Sequence, residues 1–276
     1  MLFLRLSNSQ DIQGDIPPGG RAWEIAGGLL ATEVGEPVET TQRVIWPRPE
    51  LPGLIDTWLD RYQPDLVFLW VSYYWGSYEI LPNQLERKYG RAGKVAAKVV
   101  RRIAPIRWVR RLPPVEWGRR LARRLIGASA NFTVDEIDII IRDALSRIES
   151  RGLPLVVRGP SIPIFPLFTD SDLRSAERRR LEVDARTADI CRERGIPYIH
   201  EPSVPLEETL RYRLKEDVLH LNPAGQARNG AIDGAAMIEA WRAHLRSRAG
   251  LPSRKSQPPL SNDVPLNLRR PPRNRP

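Results

Sequence analysis

Five stretches of the chain are compact and largely apolar rather than alternating: Leu2–Leu6 (LFLRL), Gln42–Trp46 (QRVIW), Asp65–Val71 (DLVFLWV), Leu153–Arg158 (LPLVVR) and Ile196–His200 (IPYIH). Short runs of that kind suit parallel strands covered on both faces. Longer stretches with helical periodicity lie between them, at Arg21–Val34, Leu51–Tyr62, Val134–Arg151 and Ser171–Arg194, with a last one after Asn222. A strict β-α alternation implies right-handed crossovers and a three-layer α/β/α sandwich around a five-stranded parallel sheet.

Local chemistry agrees with these boundaries. Thr133 is placed to cap the helix that begins at Val134, and Glu136 completes a capping box. Asn222 followed by Pro223 is a helix start, because Asn accepts from unpaired N–H groups and Pro suits the first helical position. The repeated "RGLP" (Arg151–Pro154) and "RGIP" (Arg194–Pro197) each end a helix on Gly and lead into a strand.

One stretch does not fit the alternation. Residues 84–127 carry fourteen Lys/Arg against Glu86 and Glu116, a net charge of +12, and read as two or three short basic amphipathic helices containing Trp108, Trp117, Leu121 and Leu125. The tail, 251–276, is Pro- and Arg-rich, carries +5 and is expected to be disordered. Subtracting both from the total of +10 leaves the rest of the chain at −7, so the basic character belongs to two appendages. The expected organisation is one α/β domain over 1–250, with 84–127 inserted as a lid or as an element that docks on an anionic membrane surface. Nucleic acid would suit the charge as well, but no helix-turn-helix, zinc finger or RNA-binding motif accompanies it, and it is not the expected partner.

Other classes are excluded or set aside. Cys191 is the only cysteine and the three histidines show no metal-ligand spacing, so neither a disulfide framework nor a structural zinc site is expected. No apolar run approaches the roughly 20 residues that span a bilayer, and Met1–Leu6 is too short for a secretory signal, which points to a cytoplasmic protein, peripheral to the membrane if the insert docks there. Without a signal, the sequon Asn131-Phe132-Thr133 reads as chance.

In an open parallel sheet, ligands bind beyond the carboxyl ends of the strands. Three loops therefore matter: Ser7-Asn8-Ser9 after the first strand, "SYYWGS" from Ser72, and "EDVLHLNPAG" before the last helix. The first has no GxGxxG or GKS/GKT and cannot build a phosphate cradle. It offers hydroxyls. A serine becomes a useful nucleophile when an imidazole accepts its proton and a carboxylate orients that imidazole. Asp217 and His220, three apart on a single loop, are residues of those two types.

A strand entering a serine turn, a "PDLV" strand entering a second polar loop, and D-x-x-H-x-N-x-x-G before the last helix resemble the SGNH, or GDSL-type, esterase/lipase superfamily. The resemblance covers the body of about 205 residues without insert and tail. It implies a flavodoxin-like fold, no cofactor, Ser9 as nucleophile, His220 as general base and then acid, and Asp217 as its orienter. The implied substrate is a small-molecule or glycan acyl ester, and acyl transfer to a sugar hydroxyl would use the same residues. This chain departs from the family in two places: no Gly follows the second strand at the usual position, and Ser72-Tyr73-Tyr74-Trp75 stands where the family has Gly-x-Asn-Asp. The oxyanion hole is then expected from the Ser9 backbone N–H with a hydroxyl from Ser72 or Tyr74. A catalytically weakened carbohydrate- or membrane-binding relative is the alternative. Ser7, still in the strand, is the lesser nucleophile candidate; His200 is expected to be a hydrogen-bonded structural residue and His244 a surface one. Trp70, Tyr73, Tyr74 and Trp75 divide evenly between lining a pocket and packing on helices.

Overall fold

The computed structural model describes residues 1–7, 16–45, 50–72, 74–77, 81–103, 130, 132–161, 170–201, 206–214 and 220–250. Its strands are β1 (Leu2–Ser7), β2 (Glu39–Val44), β3 (Leu66–Trp70), β4 (Leu155–Arg158) and β5 (Tyr198–Ile199). They form one parallel sheet in the order β2-β1-β3-β4-β5. The described helices are α1 (Ala22–Val34), α2 (Leu51–Tyr62), α3 (Tyr74–Ser77), α4 (Leu81–Ile103), α5 (Val134–Glu149), α6 (Asp170–Arg194), α7 (Leu206–Arg211) and α8 (Pro223–Arg248). This is a three-layer α/β/α sandwich around the parallel sheet expected from the apolar pattern, with the flavodoxin-like strand order that the family resemblance implies. The second strand sits earlier than expected, because it pairs Leu2 with Glu39 and Ser7 with Val44, so edge pairing rather than apolarity sets its limits. Strand order reverses at β1, which has β2 on one side and β3 on the other; the crevice beyond their carboxyl ends is the natural ligand site.

Alternation along each strand divides the core. Leu4, Leu6, Val67, Leu69, Leu155 and Val157 face α2, α5 and α6 and join Ile55, Leu59, Ile141, Leu145 and Ile190 in an apolar cluster. Phe3, Leu66, Phe68 and Val156 face α1 and α8 and meet Ala26, Leu30, Met237 and Ala240. Each fully buried Leu, Ile or Phe contributes about 1.5–3 kcal/mol.

The boundary signals have the geometry that their chemistry requires. Thr133 Oγ1 accepts from the Glu136 backbone N–H (3.2 Å), while the Thr133 backbone N–H donates to Glu136 Oε2 (2.7 Å). Gly152 and Gly195, the "RG" glycines, adopt φ +65° and +69°, a conformation that side chains with a Cβ rarely take.

Of the basic stretch 84–127, the described part lies in α4. The chain turns sharply within it at Gly90 (φ 52°, ψ −123°). A Cβ at Gly93 would fall 1.9 Å from the Leu85 carbonyl oxygen, so only glycine allows the second segment to approach the first so closely. The remainder of the stretch and the tail, 251–276, lie outside the described residues.

Candidate active site

The packing of α1 on α8 sets the geometry of the crevice. A Cβ on Gly230 would lie 2.7 Å from Ile25 Cβ and 2.8 Å from the Ala22 carbonyl oxygen, and one on Gly234 would lie 2.7 Å from Leu29 Cδ1. Those glycines bring the two helix backbones closer than larger residues permit. At the crevice end, the Ala22 backbone N–H donates to Gln226 Oε1 (2.9 Å), locking the first residue of α1 to the first turn of α8. The loop before α1 carries Ser9 and the loop before α8 carries Asp217 and His220. Both loops therefore end at one helix pair.

His220 is half-buried, and its carbonyl oxygen accepts from the Leu214 backbone N–H (2.9 Å). Its neighbours Leu221 and Arg213 form an isolated antiparallel bridge. Asn222 fixes the loop from two directions: Oδ1 accepts from the Gly225 backbone N–H (2.9 Å), and Nδ2 donates to the carbonyls of Arg211 (2.8 Å) and Arg213 (3.1 Å). Gly225 is required, because a Cβ there would meet the Tyr212 carbonyl oxygen at 2.3 Å. "HLNPAG" thus has a physical reading in which Asn and Gly clamp the loop so that His220 stands at the start of α8.

Ser9 and Asp217 lie outside the described residues. Ser7 ends β1 opposite Val44. Ser72 follows β3, is 6% exposed, and its carbonyl oxygen accepts from the Trp75 backbone N–H (3.1 Å) as the chain enters α3. Tyr74 opens α3. Trp75 is fully buried in the apolar cluster against α5 and α6, so its role is packing.

Trp70 belongs to a polar assembly that the sequence reading missed. Arg5 and Arg158, both 1% exposed, lie in the strands on the face toward α1 and α8. Their guanidinium carbons sit 5.4 and 5.0 Å from the Trp70 ring centroid, and Arg5 also lies 5.0 Å from the ring of Trp23. Arg158 donates to Asp233, to Glu201 Oε2 (2.7 Å) and to Asn229 Oδ1 (3.1 Å). Trp70 Nε1 donates to the Gly159 carbonyl oxygen (3.1 Å). Burial pushes the Asp233 carboxyl above the usual range, and the Arg158 and Arg5 charges only partly offset it. Burial opposes ionisation of Glu201 too, but the charge and hydrogen bond of Arg158, with Arg213 and Arg228 nearby, hold it below that range. The sequence shows the separate parts, arginines within "LFLRL" and "LVVR" and Asn229 and Asp233 four apart on a helix face of small residues, but not that they meet.

At the β5 edge, Asp184 accepts from Tyr198 (2.6 Å) through Oδ1 and pairs through Oδ2 with His200 Nδ1 (2.9 Å), so His200 is hydrogen-bonded as expected. That bond raises the His200 pKa above its ordinary value, with burial opposing and the Asp184 charge assisting. Gly159 makes room for the pair, since a Cβ there would meet both Asp184 Oδ1 and the Tyr198 hydroxyl at 2.2 Å. His244 stacks on Trp241 at 5.9 Å, partly buried rather than simply at the surface. Among the described residues, no group of three or more His, Cys, Asp or Glu side chains is arranged to hold a metal ion, and no helix is long and apolar enough to cross a membrane.

No protein-family model and no curated protein sequence matches this chain. Among solved structures, it is similar to a catalytic mutant of the acetylxylan esterase Axe2 from Geobacillus stearothermophilus, at 13% identity and a TM-score of 0.45, covering 84% of this chain and 93% of that one. It is similar to a putative lipolytic protein of the G-D-S-L family from Desulfitobacterium hafniense, at 10% identity and 0.46, covering 85% and 98%. It is likewise similar to the psychrotrophic esterase EstA from a Pseudoalteromonas species, at 9% identity and 0.47, covering 87% and 98%. Likeness at this level concerns overall shape; the chemistry must be read from this chain's own residues.

Proposed function

We propose that this protein is a serine hydrolase, a divergent relative of the SGNH esterases, that cleaves an ester-linked acyl group through Ser9, His220 and Asp217. The observation that carries this reading is the Ala22–Gln226 tie between the starts of α1 and α8, which brings the ends of the Ser9 and His220 loops to one corner of the crevice. The hydrogen bonds of Asn222 support it, because they tie the backbone on either side of His220, at Arg211, Arg213 and Gly225, and so hold the segment that carries the general base.

In this mechanism the Ser9 hydroxyl attacks the ester carbonyl while His220 takes its proton. His220 returns the proton to the departing alcohol, leaving an acyl-enzyme. It then deprotonates a water that attacks the acyl carbonyl, and the acid leaves as Ser9 recovers its proton. Asp217 orients the imidazole and stabilises its positive charge. The Ser9 backbone N–H, with a hydroxyl from Ser72 or Tyr74, supports the oxyanion. A sugar hydroxyl in place of water would make the same residues an acyltransferase.

Hydrolysis of short-chain aryl esters tests the reading. Activity should be present in the native chain and fall by at least about 10³-fold in Ser9→Ala and in His220→Ala, each with an unchanged melting curve. Absence of turnover, or turnover indifferent to both substitutions, would reject it.

The buried position of Ser72 is the observation that favours a second reading, in which the oxyanion site is incomplete and the chain binds carbohydrate or membrane without turnover. The loss of one oxyanion donor costs about 10²–10³ in rate. Acyl-ester binding without any cleavage would identify this case.

A further inference from the structure

Past Gly90, α4 carries two faces of unlike chemistry. Gly93 and Ala97 are buried and form the face by which this segment packs. Val95 and Val99, one turn apart, are 69% and 50% exposed, and Tyr89 beside the kink is 49% exposed. Ala92 and Ala96 are exposed along the same stripe. Flanking it are the exposed Lys88, Arg91, Lys94, Lys98 and Arg102. The described residues of α4 include one acidic residue, Glu86, in the segment before the kink. The main helix contacts among the described elements join α1 to α8, α2 to α5, α5 to α6, and α3 to α5 and α6; α4 takes no part in these.

We propose that this face of α4 docks on an anionic lipid surface. A solvated charge run would not need exposed valines at one-turn spacing. Nucleic acid would satisfy the lysines and arginines but offers nothing to Val95 and Val99, because phosphate contacts are polar. A bilayer of anionic lipid satisfies both: valines enter the headgroup–acyl boundary, the phenol of Tyr89 suits the same depth, and the basic rim meets lipid phosphates. Lys88 lies 5.9 Å from the Tyr89 ring, within reach of the same boundary. Three residues separate α3, which follows the carboxyl end of β3, from the start of α4.

Vesicle flotation of the full-length protein tests this. Partitioning should be at least about ten-fold stronger on phosphatidylcholine vesicles containing phosphatidylglycerol than on phosphatidylcholine alone, and should weaken as salt rises. A basic side chain at such a surface is worth roughly five-fold in partitioning, so Lys94→Gln/Lys98→Gln should lose about twenty-five-fold. Val95→Ser/Val99→Ser should lose about ten-fold at unchanged charge, with an unchanged melting curve, and Ile139→Ser, at an exposed apolar position on α5, should lose nothing. No preference for anionic vesicles would overturn the proposal. So would binding that ignores the valine pair while duplex DNA competes with the vesicles, which would make α4 a general polyanion surface. The readout involves no ester cleavage, so its outcome is independent of the hydrolase reading.

Discussion

The two faces of the sheet are built by different rules. Toward α2, α5 and α6, the strands present Leu4, Leu6, Val67, Leu69 and Val157 to an apolar layer. Toward α1 and α8, the same strands begin with Phe3 and Phe68 but end, near the crevice, in Arg5, Trp70 and Arg158 against Asn229 and Asp233. An apolar core tolerates hydrophobic repacking, whereas a buried charge requires specific partners in a specific geometry. The first face supplies stability; the second holds α8, and with it the His220 loop, in one position relative to β1, β3 and β4.

Removing one partner of the charged assembly should have the largest effect. Asp233→Ala leaves Arg158 buried with one carboxylate fewer and is expected to cost about 3–5 kcal/mol in urea unfolding, whereas Arg158→Met combined with Asp233→Leu and Glu201→Gln, which leaves no buried charge of the set behind, should cost far less. If the single and triple variants were equally destabilised, the assembly would be ordinary packing. On the opposite face, Leu69→Ala should cost about 2–5 kcal/mol by cavity formation, with ester turnover per folded molecule unchanged.

Two smaller changes separate position from stability. Gly230→Ala pushes α1 from α8 and should cost about 1–3 kcal/mol while lowering turnover, because it disturbs the register that the Ala22–Gln226 bond fixes. Asn222→Ala removes a helix cap, worth about 1 kcal/mol, yet should lower turnover by more than that stability loss suggests, since Nδ2 also holds the His220 loop. Equal loss in Asn222→Ala and a capping variant such as Thr133→Ala would remove the special role of Asn222.

The smallest effect concerns pH. The Asp184–His200 bond raises the folded His200 pKa, so its stabilisation is complete below about 6.5 and disappears as pH rises through the higher folded value. The difference in melting temperature between the native chain and His200→Gln should therefore shrink from about pH 6 to about pH 9. A difference that grows with pH would reverse the assignment.

The sequence made the fold legible because buried parallel strands leave an uninterrupted apolar signature and because Thr133, Asn222, Gly152 and Gly195 each have a local chemical reason for their place. The β2 limits were not legible, since register with β1 decides them. At the candidate site, the helix start Asn222-Pro223-Ala224-Gly225 was legible because a cap is a local motif, while Ser9 and Asp217 lie outside the described residues. The assembly of Arg158, Asp233, Glu201 and Arg5 was not legible, because strand and helix faces must be superposed before these charges become neighbours. The role of Gly230 was equally hidden, as its meaning lies in Ile25 and Ala22, two hundred residues away.

The most direct test of the hydrolase reading is intact-mass analysis after exposure to a fluorophosphonate, followed by peptide mapping. One adduct per chain is expected, on Ser9, and it should be absent in His220→Ala. No adduct, or an adduct on another serine that survives the loss of His220, would contradict it.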